Sequence, residues 1–412
     1  MAQIRIQNGT IINGNGGQPI SNGVLLIEDN RIKAVGRAAD IPMSDQQVVI
    51  DANAGFILPG LIDTHVHLVL ENLSLTNLIS QPFSLRFFQA VDRMRRTLDA
   101  GITTVRDAGG ADLGLKTAVE TGIVPGPRMQ ISTAILTTTG GHVDFWQPSG
   151  LDMALLPEYP GFPSGRCDGV EAVRRKTREV LRAGADVIKV CATGGVVSPT
   201  DHPHFTQFSI DELRVIVEEG HFRQGVKVMA HAQGTQGIKN AVLAGIHSIE
   251  HGMFLDEEAI QMMLDHGTFL VPTLLAPLAV LEAGEQHRYS ATVMQKARDT
   301  IEAHSDSVAR AFQAGIKIAM GTDVGVMPHG TNLRELGLMC NIGMSPMESI
   351  VASTRTAADC MGWGDRLGTL ETGKLADIVI AKSDPLADIV SLEKTDNIVL
   401  VMKDGQIVKD LM

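Results

Sequence analysis

Apolar and polar positions along the 412-residue chain change rhythm twice. Before residue 55, short apolar runs alternate with turn residues. Residues 4–6, 23–27 and 31–35 read as strands, with Asn8-Gly9 and Glu28-Asp29-Asn30 as turn signals between them. The stretch 366–412 repeats that texture at 377–380, 398–402 and 406–408, and Lys403-Asp404-Gly405 predicts an antiparallel hairpin. Two β-rich ends around a different middle predict one small β-domain assembled from both termini.

The middle alternates helical periodicity with short β-rich runs, joined each time through glycine. Ala100-Gly101 precedes the run 102–105, Ala183-Gly184 precedes 186–190, and Gly225 precedes 226–231. Ala244-Gly245, His266-Gly267 and Ala314-Gly315 lead in the same way into 246–251, 269–271 and 316–320. Glycine just past a helix end caps it, and helices that feed strands repeatedly build a parallel sheet. Residues 56–68 read as a further buried strand and 129–132 as another, which brings the count to eight. The expected fold is α/β: a (β/α)8 barrel of the TIM type over residues 56–365, with a small β-sandwich domain built from 1–55 and 366–412. The Gly- and Pro-rich segment 138–167 reads as a lid or binding loop.

Bulk properties narrow the partners. A formal charge of −12 disfavours nucleic acid and anionic membrane, both of which need basic surface. No run of 18 apolar residues predicts a transmembrane helix, and Met1-Ala2-Gln3-Ile4-Arg5 lacks the pattern of a secretion signal. Cys167, Cys191, Cys340 and Cys360 lie far apart and form no C-x-x-C pair, which fits reduced thiols and a cytoplasmic location.

The chemistry sits at the strand ends. His65 and His67 are two apart on one strand, so both imidazoles point to the same face and make half of a metal site. At the C-terminal ends of later strands stand Lys189, His231, His251 and Asp323, inside otherwise apolar runs. Burying such groups costs several kcal/mol unless they are paired or bind metal, and the C-terminal face of a barrel is where active sites form. His202 and His204 have metal-pair spacing but read as solvated loop residues. His221, His247, His266, His287 and His304 read as helix or connection residues without a role.

The run Pro59-Gly60-Leu61-Ile62-Asp63-Thr64-His65-Val66-His67, the later Ile249-Glu250-His251-Gly252 and Gly321-Thr322-Asp323 resemble the amidohydrolase superfamily over nearly the whole chain. The run from Ile188 through Lys189 to Gly195, the Gly140-Gly141-His142 loop and Ala230-His231-Ala232 are similar to its prolidase and Xaa-Pro dipeptidase group. The resemblance implies two divalent metal ions, zinc by default. His65, His67 and Asp323 would hold one and His231 and His251 the other, with Lys189, N6-carboxylated by carbon dioxide, as the bridge. It further implies a metal-bridging hydroxide attacking an amide carbonyl, Asp323 as proton carrier and His142 as oxyanion partner. Candidate substrate contacts are His142, Gln233, Arg288, Tyr289 and His329, where many relatives place a tyrosine near the position of Gln233. The implied substrates are dipeptides or N-acyl amino acids cleaved at the C-terminal amide, Xaa-Pro dipeptides first, and the likeness also implies a homo-oligomer.

Rival readings remain. One is a carboxypeptidase or amidase of the same subgroup, releasing Arg, Lys or Phe as in ochratoxin-type cleavage. Another is a cyclic-amide hydrolase of the imidazolonepropionase kind, against which a bridging lysine argues. A third is a non-catalytic assembly protein, as among hydantoinase relatives, which lose metal ligands that are all present here.

Overall fold

The computed structural model describes residues 3–44, 47–72, 80–147, 149–198, 201–284 and 289–412. Both chain ends contribute to one eight-stranded sheet. Gln3–Ile11 pairs with Ile20–Glu28, which pairs with Arg31–Arg37. On its other side Gln3–Ile11 meets Gln47–Asp51 and Phe56–Pro59 in parallel. Phe56–Pro59 continues the sheet into Ile378–Ala381, Ile398–Lys403 and Gln406–Asp410. The alternating apolar side chains close over a core of their own, around Ile6, Leu25, Ile57, Ile378 and Leu400. The hairpin turn lies at Asp404-Gly405, where φ is 50° and 72°, the left-handed pair that a two-residue turn demands.

The expected continuous strand over 56–68 is two elements. Phe56–Pro59 belongs to the terminal sheet and Leu61–Val66 opens the barrel. The break falls at Gly60, whose amide donates to the Asp377 carbonyl while a side chain there would strike Thr103 at 2.2 Å. An uninterrupted apolar run conceals such a change of sheet, because both strands are buried.

Around the barrel, Leu61–Val66 pairs with Ile102–Asp107, which pairs with Arg128–Ile131. The third strand then breaks at Thr133, where φ is 56°, and resumes as Ile135–Leu136, which joins Val187–Cys191. Lys227–Ala232, Ser248–His251 and Phe269–Val271 follow in parallel. The last stave, 316–320, bridges Leu270 at Ile318, and Val324 bridges Val66, so the ring closes. It forms single bridges rather than a ladder because Met320 turns its amide to the Ala352 carbonyl. Helices such as Val170–Arg182, Ile210–Phe222 and Ala291–Gln313 pack outside, the first and last ending two residues before a positive-φ glycine, Gly184 (φ 96°) and Gly315 (φ 94°), and the second three before Gly225 (φ 79°). Within 138–167 the segments Asp144–Trp146 and Asp152–Ala154 form a short hairpin. Among the described residues no helix is long and apolar enough to cross a membrane.

Candidate active site

The C-terminal strand ends bring the predicted groups together. One ligand-type atom from each of His65, His67 and Asp323 lies within 4.8 Å of the others. Asp323 Oδ1 stands 3.3 Å from His67 Nε2 and 3.6 Å from His65 Nε2. Lys189 Nζ is 3.4 Å from His65 Nε2. The His251 ring centroid lies 5.2 Å from that of His65 and 4.6 Å from that of His231. Two of these residues sit on strained backbone, His251 at φ 73° and Asp323 at φ 62°. Such conformations cost of order 1–3 kcal/mol each and persist where the surroundings overdetermine them. Gly321 lets the last stave approach: a side chain there would meet His65 Cβ at 2.9 Å.

Each imidazole has one nitrogen tied to the protein, which fixes which nitrogen faces the centre. His65 Nδ1 pairs with Glu250 Oε2 at 2.7 Å, and His67 Nδ1 donates to the Gly109 carbonyl at 2.8 Å. His251 Nδ1 pairs with Thr273 Oγ1 at 2.6 Å, whereas His231 uses Nε2, 3.0 Å from the Gly194 carbonyl. Partners of this kind are what orient metal-binding histidines. Burial, then the nearby charge of Lys189, pushes His65 well below the usual histidine range. Burial does the same to His231 and His251, aided by neighbouring histidines. The Lys189 ammonium is disfavoured by burial. For His67 burial acts downward, but its contact with Asp323 outweighs it and the ring is raised. Burial would raise Asp323 too, yet the His67 hydrogen bond and surrounding positive charge hold it below its ordinary value. The neutral imidazoles of His65, His231 and His251, an amine inclined to lose its proton and an ionised carboxylate are the donor forms that a divalent cation takes, and a cation would displace the proton that Asp323 favours on His67.

The outer residues hold this set in place. Asp63 accepts from Thr322 Oγ1 and Asn332 Nδ2, both at 2.7 Å, and burial lifts it to about 6. Asp107 accepts from the amides of Leu68, Gly109 and Ala111, which fixes the turn that aims the Gly109 carbonyl at His67. Glu250 accepts from Arg106 and Ser248 as well as meeting His65. His304, expected to have no role, donates through Nε2 to the His251 carbonyl at 2.9 Å. None of these stood out in the sequence. Asp63 and Glu250 carried a signal nevertheless, since each is an acid within two residues of a site histidine in a buried strand.

Other candidates are placed as follows. His142 is buried and stacks on His231 with centroids 4.2 Å apart. Gln233 is buried beside the same strand end; its backbone N–H donates to Thr193 Oγ1, and its side-chain Oε1 has no hydrogen-bond partner among the described residues. Tyr289 is half-buried against the barrel core, and Arg288 lies outside the described residues. His329, expected at the substrate, has both ring nitrogens against protein: Thr97 Oγ1 at 3.3 Å, and the carbonyls of His67 and Leu70 at 3.3 and 3.2 Å. It supports the loop after the first barrel strand. His202 and His204 are exposed in the loop after the fourth. A cleft of about 1250 Å³ opens at the opposite end of the barrel, lined by Arg128, Lys227, Trp363 and Lys403. The convergence of polar groups, not volume, marks the site.

Similarity to known proteins agrees with this geometry. The sequence profile of the amidohydrolase family matches residues 56–408. The chain belongs to the amidohydrolase family. Ochratoxinase of Aspergillus niger is 34% identical over 98% of this chain and 86% of its own length. A crystal structure of a Xaa-Pro dipeptidase with methionine bound in its active site is 33% identical, covers 98% of this chain and 99% of its own, and superimposes with a TM-score of 0.89. A prolidase complexed with N-methylphosphonate-L-proline gives 33% identity, 99% and 100% coverage and a TM-score of 0.91. Like these amidohydrolases, the chain is a hydrolase of C–N bonds in small-molecule amides.

Proposed function

We propose that this amidohydrolase cleaves the C-terminal amide of dipeptides or N-acyl amino acids, with Xaa-Pro dipeptides as leading substrates. The observation that carries the reading is the meeting of His65, His67 and Asp323 beside Lys189 at the barrel mouth, each imidazole oriented by a partner of its own. In this reading His65, His67 and Asp323 would hold one zinc ion and His231 and His251 a second, with Lys189 as the residue between the two groups. A lysine amine whose protonation burial disfavours would add carbon dioxide, giving a carbamate anion and releasing a proton. Bound ions would supply Lewis-acid chemistry there, bringing the pKa of water near neutrality.

The chain's own groups do the rest. The carboxylate of Asp323, held ionised by its neighbours, takes the proton from water and returns it to the departing amine nitrogen. His142 faces the carbonyl oxygen and stabilises the charge that develops there. Gln233, whose buried Oε1 has no partner among the described residues, would hydrogen-bond the substrate. A specific observation also favours cleavage of bulkier amides: the likeness to ochratoxinase extends over 98% of the chain.

Release of free amino acid from a panel of Xaa-Pro, Xaa-Arg and Xaa-Phe dipeptides tests the proposal. Preference for the Xaa-Pro members supports the leading reading, and preference for Xaa-Phe supports the ochratoxinase-like one. No release from any member by metal-loaded protein would refute both.

A further inference from the structure

His142 is held by a buried group of residues drawn from three separate parts of the chain. Its Nδ1 lies 3.0 Å from Asp201 Oδ2 and 2.7 Å from Ser198 Oγ. One face of the ring stacks on His231, inclined by 19°. Gly195 leaves room for the ring, since a side chain there would come within 2.3 Å of it. The next residue, Val143, is forced to φ 64°, a conformation that a β-branched side chain strongly resists. Its amide donates to the same Ser198 hydroxyl at 3.2 Å.

Behind Asp201 stands Lys296, on the long helix Ala291–Gln313 that follows the seventh strand. Its Nζ donates to the carbonyls of Gly195, Ser198 and Asp201 at 2.8, 2.7 and 3.1 Å, and lies 3.6 Å from Asp201 Oδ1. A lysine ammonium has three N–H donors, and all three are used on one loop. Asp201 and Lys296 are each only 7% exposed, so neither is a solvated surface pair. Leaving three carbonyls and a carboxylate buried without this cation would be costly, so Lys296 ties Gly195, Ser198 and Asp201 together. The sequence hides this group: Lys296 sits on the apolar stripe of its helix with Thr300 and His304, and Asp201 adjoins an exposed histidine pair.

We propose that Asp201 and Lys296 form a clamp that positions His142, with Nδ1–H donating to the carboxylate so that Nε2, which must also carry a proton to donate, is the nitrogen offered to the oxygen of the scissile carbonyl. The proposal rests on the amide-hydrolase reading for what His142 does, but not for how it is held. Placing a donor within a fraction of an ångström of a developing charge is where such outer residues exert their effect on rate. Asp201 and Lys296 are positioning residues, since they touch His142 and its loop rather than the reacting atoms.

The test is a double-mutant cycle read alongside crystal structures of the full-length variants. With His142 intact, Asp201→Ala lowers kcat about 10–100-fold and leaves KM within about 3-fold, the range seen when an outer partner of an active-site histidine is lost. In a His142→Ala background the same substitution costs less than about 3-fold more, because the residue it acts through is gone. Asp201→Asn, which keeps an oxygen to accept from Nδ1, restores part of kcat, and Lys296→Met follows Asp201→Ala. In crystals of Asp201→Ala the His142 ring leaves its stack on His231. A full kcat penalty in the His142→Ala background, or a ring unmoved in Asp201→Ala, would overturn the clamp. Wild-type protein that cleaves no dipeptide would refute the function reading instead; the crystallographic arm needs no turnover and still decides the clamp.

Discussion

Arg106→Leu probes the layer beneath the site. Arg106 is 1% exposed and Glu250 not at all, and their side chains meet at 2.9 Å in the barrel interior. Arg106 also donates to the Thr64 carbonyl at 2.7 Å and to Ser248 at 3.2 Å. Charge at that depth is tolerated only because each group neutralises the other. Removing one partner from a buried pair costs about 3–5 kcal/mol, since the remaining charge keeps its desolvation penalty without its counterion. Against a typical folding stability of about 5–15 kcal/mol, that is about a fifth or more of the total. Arg106→Leu should therefore shift the urea midpoint strongly downward, or leave little folded protein. Arg106→Leu/Glu250→Leu should recover more than half of the loss, because no ion is left stranded, although His65 then loses its carboxylate and metal affinity falls about 10–100-fold. Urea unfolding of both variants, followed by far-UV circular dichroism, decides the matter. A single variant within about 1 kcal/mol of wild type, or a double variant less stable than the single, would refute the argument.

Three further outcomes are expected. Asp323→Asn should lower kcat about 10²–10⁴-fold in steady-state assays while metal analysis still finds metal in the protein, since the carboxamide oxygen remains a weak ligand. Zinc added to metal-free protein should raise its melting temperature, with about 2.7 kcal/mol gained at a hundredfold excess over Kd. Glu335 accepts from the amides of Leu274 and Leu275 at 2.7 and 2.8 Å, and burial raises it from an ordinary 4.5 to about 8. Between those values the folded protein holds a proton that the unfolded chain has released, so stability is fully present below pH 4.5 and is lost as pH rises through 8, by ~5 kcal/mol in all. Glu335→Gln should flatten that part of the stability profile, at a cost of about 1 kcal/mol for one lost backbone contact; an unchanged slope would refute the assignment.

Periodicity made the barrel legible because each helix ends before a glycine and each following run is short and apolar. The hairpin at Asp404-Gly405 was equally readable, since its turn residues admit few alternatives. The divide at Gly60 was not, because a strand buried in one sheet and a strand buried in the next look alike. The break at Thr133 left no mark either, for the constraint comes from pairing two different neighbours in turn. In the site, His65, His67, Lys189, His231, His251 and Asp323 stood out as polar groups within apolar runs, and the structure brings them together. Asp201 and Lys296 did not, because a loop aspartate and a helix lysine look solvated until tertiary packing covers them. His329 shows the converse: its loop position suggested substrate, whereas its nitrogens meet the Thr97 hydroxyl and the carbonyls of His67 and Leu70.

Metal content with anomalous-scattering crystallography on the purified protein addresses the central claim most directly. The account predicts two ions per chain, one between His65, His67 and Asp323 and one at His231 and His251, with density for a carboxylated Lys189 joining them. Protein that takes up no metal when supplied with zinc, with Lys189 unmodified, would contradict it.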